Sequence, residues 1–185
     1  MSLILASASP RRRELLSLIT TDFTVIPSQG EEIADTSLPP GILVQELAKQ
    51  KANQVAVTHP HDIVIGADTL VFHGAEIMGK PADNTDAKRM LTILSGSTHT
   101  VITAVAIAQN GKVTKMFAEE TEVEFFPLTD DEISAYIVTG EPMDKAGAYG
   151  IQDKGALLVK GITGDYYNVM GLPVGRLYRE LKTVM

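Results

Sequence analysis

Three consecutive arginines stand at the beginning of a predicted helix, where positive charge is unfavourable. Ser9 can cap this helix, Pro10 suits its first position, and the arginines occupy positions 11–13. Because a helix N-terminus carries partial positive charge, each arginine there costs roughly a few tenths of a kcal/mol. A phosphate-rich ligand docked on the loop, with Ser7 as a further polar group, would explain the arrangement. The alternative is a solvated surface turn whose arginines pair with distant acids.

Two lysines also occupy positions that call for an explanation. Lys51 lies on the apolar stripe of a helix predicted over residues 42–57, seven positions after Val44 and four after Leu47. Burial of an unpaired ammonium is costly, so Lys51 either extends past the edge of the core or faces an anion in a cleft. The spacing alone favours extension to solvent. Lys80 lies between a glycine and Pro81 in a loop of fixed conformation, or it is an ordinary surface lysine.

Carboxylates occur at two places that could supply metal ligands or a general base. Asp68 follows the apolar run 63–67, which predicts a strand buried on both faces, and we expect Asp68 to end that strand. Ligand crevices form at such strand ends in open α/β sheets, and a carboxylate there can hold a metal, activate water, or do both. It can also simply close an Asx turn. Glu31 and Glu32 are a second source of carboxylates, or a solvated loop.

A glycine-rich stretch near residue 150 could approach a ligand closely. The segment DKAGAYGIQ covers residues 144–152 and ends on Gln152. Its glycines permit close approach, and the Gln152 amide could read a base edge because it offers both a donor and an acceptor. The alternative is a tight loop with a purely structural role. The four histidines show no spacing typical of metal ligands, and the chain contains no cysteine.

These groups have one ligand chemistry in common. A polyphosphate with a divalent cation would satisfy the cations, the acids and the hydroxyl loop together, because Mg²⁺ needs only one or two carboxylates besides phosphate oxygens. The sequence therefore indicates phosphoanhydride chemistry.

The elements that must position these residues are mixed in type. Strands are predicted over 3–6, 23–26, 63–67, 70–72, 76–78, 98–108, 156–159 and, as one or two strands, 113–126. Helices are predicted from Pro10, over 42–57 and 83–94, from a capping box at 129–132 to Gly140, and from Pro173. Without strict alternation or repeats, this order favours an α/β domain with a mixed sheet that includes antiparallel hairpins.

Composition limits the class of protein. The 185 residues suit one domain, with room for two lobes, and 44% hydrophobic content is ordinary for a globular core. A formal charge of −7 argues against a general binder of nucleic acid or membrane surfaces, although a small basic pocket is compatible with it. No apolar run reaches membrane-span length, and the N-terminus lacks the pattern of a secretion signal. We expect a cytoplasmic protein.

Several segments resemble a known family specifically and in order. They are LASASPRRRELL, LAKQKA, VIGADTLV, GKP, LSGSTHTVITAV, EPMDKAGAYGIQDKGA and GDYYNVMGLPV, and they extend from Leu3 to about Leu177. On these segments the sequence is similar to the Maf family of nucleoside triphosphate pyrophosphatases. The resemblance implies one domain over residues 1–185, with two lobes around a central cleft. It also implies an elongated, mixed, twisted sheet flanked by helices, similar to the fold of inosine triphosphate pyrophosphatases.

The resemblance also implies an activity and its requirements. The expected reaction is hydrolysis of a nucleoside triphosphate between the α and β phosphates, with a divalent cation, Mg or Mn, and the expected assembly is a homodimer. Thr69 and the Tyr-Gly-Ile-Gln segment resemble the branch that acts on dTTP and UTP, including modified pyrimidine nucleotides. A neighbouring branch prefers 7-methyl-GTP. The family name is also tied to inhibition of septum formation, so the alternative of another class is a nucleotide-binding regulator of cell division with little turnover.

Roles carry over position by position from the family's motifs. Asp68 matches the proton acceptor. In the mechanism that we expect, Glu32 is the first candidate metal ligand, with Glu31 as the alternative and Asp68 able to share the ion. Arg11, Thr69 and Gln152 match positions that set base preference. The remaining matches are polar residues of the cleft: Ser7, Arg12, Glu32, Lys51 and Lys80.

Overall fold

The computed structural model describes residues 1–184, which form α-helices, three short 3₁₀ segments and a seven-stranded sheet. The strands are β1 (Leu3–Leu5), β2 (Thr24–Val25), β3 (Ile63–His73), β4 (Glu76–Met78), β5 (Thr98–Gln109), β6 (Lys112–Phe125) and β7 (Val159–Thr163). The helices are α1 (Pro10–Ser17), α2 (Pro40–Ala56), α3 (Asn84–Leu94), α4 (Asp130–Val138), α5 (Tyr166–Met170) and α6 (Val174–Leu181). The 3₁₀ segments are Glu141–Asp144, Ala146–Ala148 and Asp153–Leu157.

The sheet is mixed, as predicted. Its strand order is β2-β1-β3-β5-β6-β7, and β4 pairs with β3 outside this path. β1 is parallel to both β2 and β3, whereas β4 is antiparallel to β3 and β7 is antiparallel to β6. The residues of β1 and the first six residues of β3 are buried, which is typical of parallel strands covered on both faces. The predicted α/β class is confirmed.

The described chain divides into two compact units. The first comprises Met1–Asp68, Thr103–Glu119 and the chain from Gly171 onward, and the second comprises Thr69–Ile102 and Glu120–Met170. Three long strands, β3, β5 and β6, contribute residues to both units. The predicted cleft between two lobes stays a prediction. Within residues 1–184, no helix combines the length and apolar character needed to cross a membrane.

In the first unit, helix α2 packs directly on β3. Its buried face includes Leu43, Val44, Leu47 and Ala48. A β-carbon at Gly66 would lie 2.5 Å from the carbonyl oxygen of Ala48 and 2.5 Å from the backbone nitrogen of the helix residue at position 52. Only glycine therefore allows the backbones of α2 and β3 to approach this closely.

In the second unit, α3, α4 and the β3–β4 hairpin surround one apolar core. Residues that are almost fully buried there include Val71, Met78, Leu91, Phe125 and Ile133. The predicted capping box opens α4, because the Thr129 hydroxyl accepts from the Glu132 N–H at 3.2 Å and the Glu132 carboxylate accepts from the Thr129 N–H at 2.7 Å. The hairpin predicted between strands 70–72 and 76–78 is confirmed, and its first strand extends one residue further than predicted, since His73 pairs with Glu76.

Two predicted boundaries are wrong, each for a physical reason, and one helix was missed. β3 does not end at Asp68 but continues to His73, because the Asp68 carboxylate is compensated by a lysine inside the fold. The predicted strand 156–159 is mostly a 3₁₀ turn, and β7 begins at Val159; Leu157 is exposed, so the short apolar run there marks no buried strand. Helix α5 was not predicted.

Candidate functional site

The first unit brings one lysine and two carboxylates together. Lys51 Nζ donates a short hydrogen bond to Asp68 Oδ1 and lies 3.2 Å from Glu32 Oε1. The side chains of Lys51 and Asp68 are only 12% and 11% exposed. The expectation from spacing, that Lys51 extends past the core into solvent, is therefore wrong. A buried ammonium is tolerated here because it is paired, and either partner alone would carry a large desolvation penalty.

Local geometry explains why Lys51 meets Asp68. Gly66 and Asp68 are two residues apart on β3, so they face the same side of the sheet, and Gly66 faces α2. Helix α2 approaches β3 closely at Gly66. Lys51 lies on the same helix beside the residues that contact Gly66, so its side chain reaches Asp68. The glycine of the Gly66-Ala67-Asp68 segment is thus part of how the site is built.

A pair of glutamines on α2 fixes the loop that carries Glu32. The Gly30 N–H donates to Gln54 Oε1 at 2.9 Å, and the Ile33 N–H donates to Gln50 Oε1 at 2.9 Å. Gln50 Nε2 returns a hydrogen bond of 2.9 Å to the Ile33 carbonyl. Reasoning from the sequence missed both glutamines. Their spacing of four places them on one helix face beside Lys51, but the sequence does not show which loop that face meets.

The arginine-rich helix contributes charge to the same cluster. Arg12 is half-buried, and burial lowers the pKa of its guanidinium, while the negative charges of Asp68 and Glu32 raise it and nearby Arg11 lowers it further. The guanidinium group of arginine nevertheless stays charged in proteins. The Asp68 and Glu32 carboxylates are therefore close enough to Arg12 to act on its charge.

Helix α1 and Arg12 are held in place by hydroxyl and carbonyl groups. The Ser9 hydroxyl accepts from the Arg12 N–H at 3.4 Å, which confirms the predicted cap. Arg12 Nε donates to the Gly171 carbonyl at 2.8 Å, and Arg12 Nη1 donates to the buried Ser7 hydroxyl at 3.5 Å. Gly171 was not among the predicted site residues. Arg13, by contrast, is exposed.

The cluster of the first unit can bind a polyanion together with a cation. Arg11, Arg12 and Lys51 supply three positive charges, and Glu32 and Asp68 supply two negative charges, so one positive charge remains. Among residues 1–184, no group of three or more histidine, aspartate or glutamate side chains could hold a metal ion by itself. The two carboxylates do fit a divalent cation whose other ligands are phosphate oxygens.

In the second unit, the loop of Lys80 is joined to the glycine-rich stretch. The Gly147 N–H donates to the Gly79 carbonyl at 3.0 Å. Gly147 has a φ of +69°, and a β-carbon there would lie 2.9 Å from Val71 Cγ2, so glycine is required by protein contact. A β-carbon at Gly150 would lie 2.7 Å from Lys145 Cε. Protein contact therefore explains Gly147, whereas the contact at Gly150 is with the flexible end of a lysine side chain and does not require glycine.

The structure thus gathers part of the predicted site directly. Ser7, Arg12, Glu32, Lys51 and Asp68 lie in one cluster of the first unit, and Arg11 acts on it electrostatically. The other predicted residues belong to the second unit, where Lys80 is exposed and Thr69 and Gln152 are half-buried. The part that Thr69, Lys80 and Gln152 play beside the cluster stays a prediction.

Comparisons with known proteins agree with the resemblance in the sequence. The chain is 54% identical over 179 residues to a protein of Bacillus cytotoxicus named dTTP/UTP pyrophosphatase, covering 97% of this chain and 93% of that protein. It is 51% identical over 180 residues to a protein of the same name from Bacillus mycoides, covering 97% and 94%.

A solved structure supports the fold. The HAM1 protein from Coxiella burnetii matches with a TM-score of 0.52 at 15% identity, over 98% of each chain, a likeness that bears on the fold alone. The family model described as Maf-like protein matches residues 2–184. With the buried Lys51–Asp68 pair, the arginine-bearing helix and this match over nearly its whole length, the chain belongs to the Maf family.

Proposed function

We propose that this protein is a nucleoside triphosphate pyrophosphatase that hydrolyses dTTP and UTP, and modified pyrimidine nucleotides, to the monophosphate and pyrophosphate. The observation that carries the proposal is the buried Lys51–Asp68 pair beside Glu32, in a cluster that keeps one positive charge when Arg11 and Arg12 are counted and that still contains a fixed carboxylate. The names of relatives more than 50% identical over nearly the whole chain support the choice of substrates.

Asp68 is the general base in this proposal. Its carboxylate accepts the proton of the water that attacks the α phosphorus, while Lys51 holds one carboxylate oxygen and so fixes the orientation of the group. Lys51 on α2 orients Asp68 on β3, and these two elements pack closely together. The base therefore needs little reorganisation during the reaction.

The cations stabilise charge that develops on the leaving pyrophosphate. Arg12 is fixed by the Gly171 carbonyl and the Ser7 hydroxyl, so its guanidinium is already oriented before the substrate binds. Arg11 and Lys51 add charge in the first unit, and we assign the same role to Lys80 from the family resemblance. Phosphoryl transfer depends mainly on positioning and electrostatic stabilisation, which this arrangement supplies.

Glu32 and Asp68 are the residues that would hold Mg²⁺ or Mn²⁺. Such an ion, when bound, neutralises charge on the phosphate oxygens. The hydrogen bonds of Gln50 and Gln54 to the loop hold Glu32 beside Lys51.

Base preference is assigned to Thr69 and Gln152, with Arg11. A site built to pair with the exocyclic oxygen of uracil or thymine rejects cytosine, because an amine there leaves buried polar groups unpaired. CTP is therefore expected to be a poor substrate. The proposed chemistry involves small nucleotides in the cytoplasm, with no nucleic-acid or membrane partner, and the homodimer stays a prediction.

Pyrophosphate release is the direct test. The purified protein is incubated with dTTP, UTP, CTP or 7-methyl-GTP and Mg²⁺ or Mn²⁺, and release from dTTP and UTP well above CTP is expected. Asp68→Asn keeps the size of the side chain and should lower kcat by about 10²- to 10⁴-fold. An Asp68→Asn variant that keeps most of its kcat would remove the base role, and tight binding without release would indicate a nucleotide-binding regulator.

The metal assignment has a matched control in the neighbouring residue. Glu32→Gln should raise the Mg²⁺ concentration needed for half-maximal activity by about tenfold or more, because a ligand is lost. Glu31→Gln, one position away in the same exposed loop, should leave that concentration unchanged. Equal shifts in both variants would show that the loop charge matters in general and that Glu32 is not a ligand.

A further inference from the structure

Three buried rings in the second unit form a cluster that the proposed mechanism does not use. His99, Phe125 and Tyr149 lie edge to face with one another, with ring centroids 4.7 to 5.3 Å apart. All three are almost fully buried. His99 Nε2 and the Tyr149 hydroxyl oxygen are 2.8 Å apart and share a hydrogen bond, whereas His99 Nδ1 is buried with no hydrogen-bond partner among residues 1–184.

If packing were its only role, an imidazole would be an unfavourable side chain at this buried position. A buried polar atom without a hydrogen-bond partner destabilises the fold, and a phenyl ring would fill similar space without that cost. Burial, and to a smaller extent nearby His73, lowers the pKa of His99 to about 4, so the ring is neutral at physiological pH. The polar contact that His99 gains in return is the hydrogen bond with Tyr149.

Tyr149 belongs to a segment that three anchors hold. The Gly147 N–H donates to the Gly79 carbonyl, and the Gly150 N–H donates to the Tyr136 hydroxyl of α4 at 3.1 Å. The third anchor is the bond of Tyr149 to His99 on β5. Gln152 follows two residues after Gly150, so the anchored segment carries Gln152, and its bond to Gly79 joins it to the loop of Lys80.

We propose that His99 is a positioning residue for nucleotide selection, which acts by holding Tyr149 and through it the segment that carries Gln152. The inference deepens the proposed function and rests on the base-reading role of Gln152. The segment is not simply rigid by composition, since it contains Gly147, Ala148 and Gly150, and Ala148 has a positive φ of 60°. A chain with this much glycine and an unfavourable backbone angle needs external anchors to keep one conformation.

The test removes the hydrogen bond from either side and keeps the ring. His99→Phe and Tyr149→Phe should each raise KM for dTTP by about 3- to 10-fold and lower the ratio of kcat/KM for UTP over CTP, with kcat changed less than twofold, as loss of one buried hydrogen bond predicts. The double variant should be no worse than either single variant, because both remove the same bond. His99→Gln, which puts a hydrogen-bonding amide in place of the imidazole, should recover part of the ratio.

A control separates positioning from lost stability. Val123→Ala removes two methyl groups from a fully buried position of β6 in the same core, and Val123 takes part in none of the three anchoring hydrogen bonds. It should therefore lower the unfolding midpoint without changing KM or the UTP/CTP ratio. If His99→Phe and Tyr149→Phe behave like Val123→Ala, the positioning role is refuted.

Failure of the proposed function gives a different pattern. Binding of non-hydrolysable UTP and CTP analogues, measured by calorimetry, judges the positioning role even if the wild type releases no pyrophosphate. A UTP/CTP binding ratio that His99→Phe lowers supports the inference in that case, and an unchanged ratio overturns it. If Gln152→Ala itself leaves the ratio unchanged, the role of Gln152 fails and the inference about His99 fails with it.

Discussion

Acidification from pH 7 to pH 5 should destabilise the fold by a calculable amount through one residue. His99 is buried, and its pKa falls from an ordinary value of 6.5 to about 4 mainly because burial disfavours the charged ring, with His73 as a smaller cause. In the unfolded chain His99 binds a proton below about pH 6.5, whereas in the folded chain it does so only below about pH 4. The unfolded state therefore gains protons first, and stability falls as the pH falls between these values.

The magnitude follows from the two pKa values. At pH 7 the His99 ring is mostly neutral in the unfolded chain, so its effect on the unfolding free energy is small. At pH 5 nearly all unfolded molecules have this ring protonated, whereas most folded molecules have it neutral. The expected loss of unfolding free energy between pH 7 and pH 5 is about 2 kcal/mol, within a full difference of about 3 kcal/mol reached at lower pH.

Urea unfolding followed by far-ultraviolet circular dichroism measures this loss. His99→Gln should remove it, so the difference in stability between wild type and variant should shrink by about 2 kcal/mol from pH 7 to pH 5. His61→Gln changes an exposed histidine and should retain the wild-type loss. A His99→Gln variant that loses as much stability as the wild type would refute the conclusion that His99 is held neutral in the fold.

The chosen pH window keeps most carboxylates out of the measurement. Hydrogen bonds from the Thr129 backbone N–H and hydroxyl lower the pKa of Glu132 below 4.5, and a hydrogen bond from the Ala82 N–H, with a second from Arg89, lowers that of Asp86 below 3.8. Stability from such groups is present above their unfolded pKa values and is lost as the pH falls through the folded ones. That loss lies below pH 5, so the histidine dominates between pH 5 and pH 7.

Two further substitutions test how the cluster is built. Gly66→Ala should destabilise the protein by about 1–3 kcal/mol and lower its activity, because the new β-carbon meets the α2 backbone and moves Lys51 away from Asp68. The control is Gly161→Ala, where a β-carbon meets nothing within 4 Å. It should leave the stability measured by urea unfolding nearly unchanged. Lys51→Met should cost about 3 kcal/mol in unfolding free energy, since it leaves the Asp68 carboxylate buried without its ammonium partner. Addition of Asp68→Asn should restore part of that loss. A Lys51→Met variant as stable as the wild type would contradict the buried pair.

The elements were predictable where local chemistry decides them. The run at 63–67, the capping box before α4 and the proline at the start of α1 are local signals, and the structure confirms each. The end of β3 was not predictable, because a carboxylate inside a strand is acceptable only if a partner compensates it. That partner, Lys51, lies seventeen positions away on α2. Local sequence carries no record of such a contact.

The site was predictable as a set of residue types and much less as a geometry. Spacing placed Lys51 on the apolar face of its helix but could not say whether it met solvent or an acid. Gln50 and Gln54 look like ordinary surface residues until the loop at 30–33 is seen folded against them. His99 is similar, because its meaning depends on Tyr149, fifty positions away. What the sequence lacked in each case was the partner across a tertiary contact.

The charge of the chain and the charge of the candidate site have opposite signs. A net charge of −7 makes most of the surface repel a triphosphate, while the cluster of Arg11, Arg12, Lys51, Glu32 and Asp68 keeps one positive charge. The carboxylates needed for proton transfer and for a cation therefore remain in a place that still attracts the substrate. This accounts for arginines at a helix N-terminus, where the helix itself disfavours them: their cost is local and small, and without them the two acids would make the site negative.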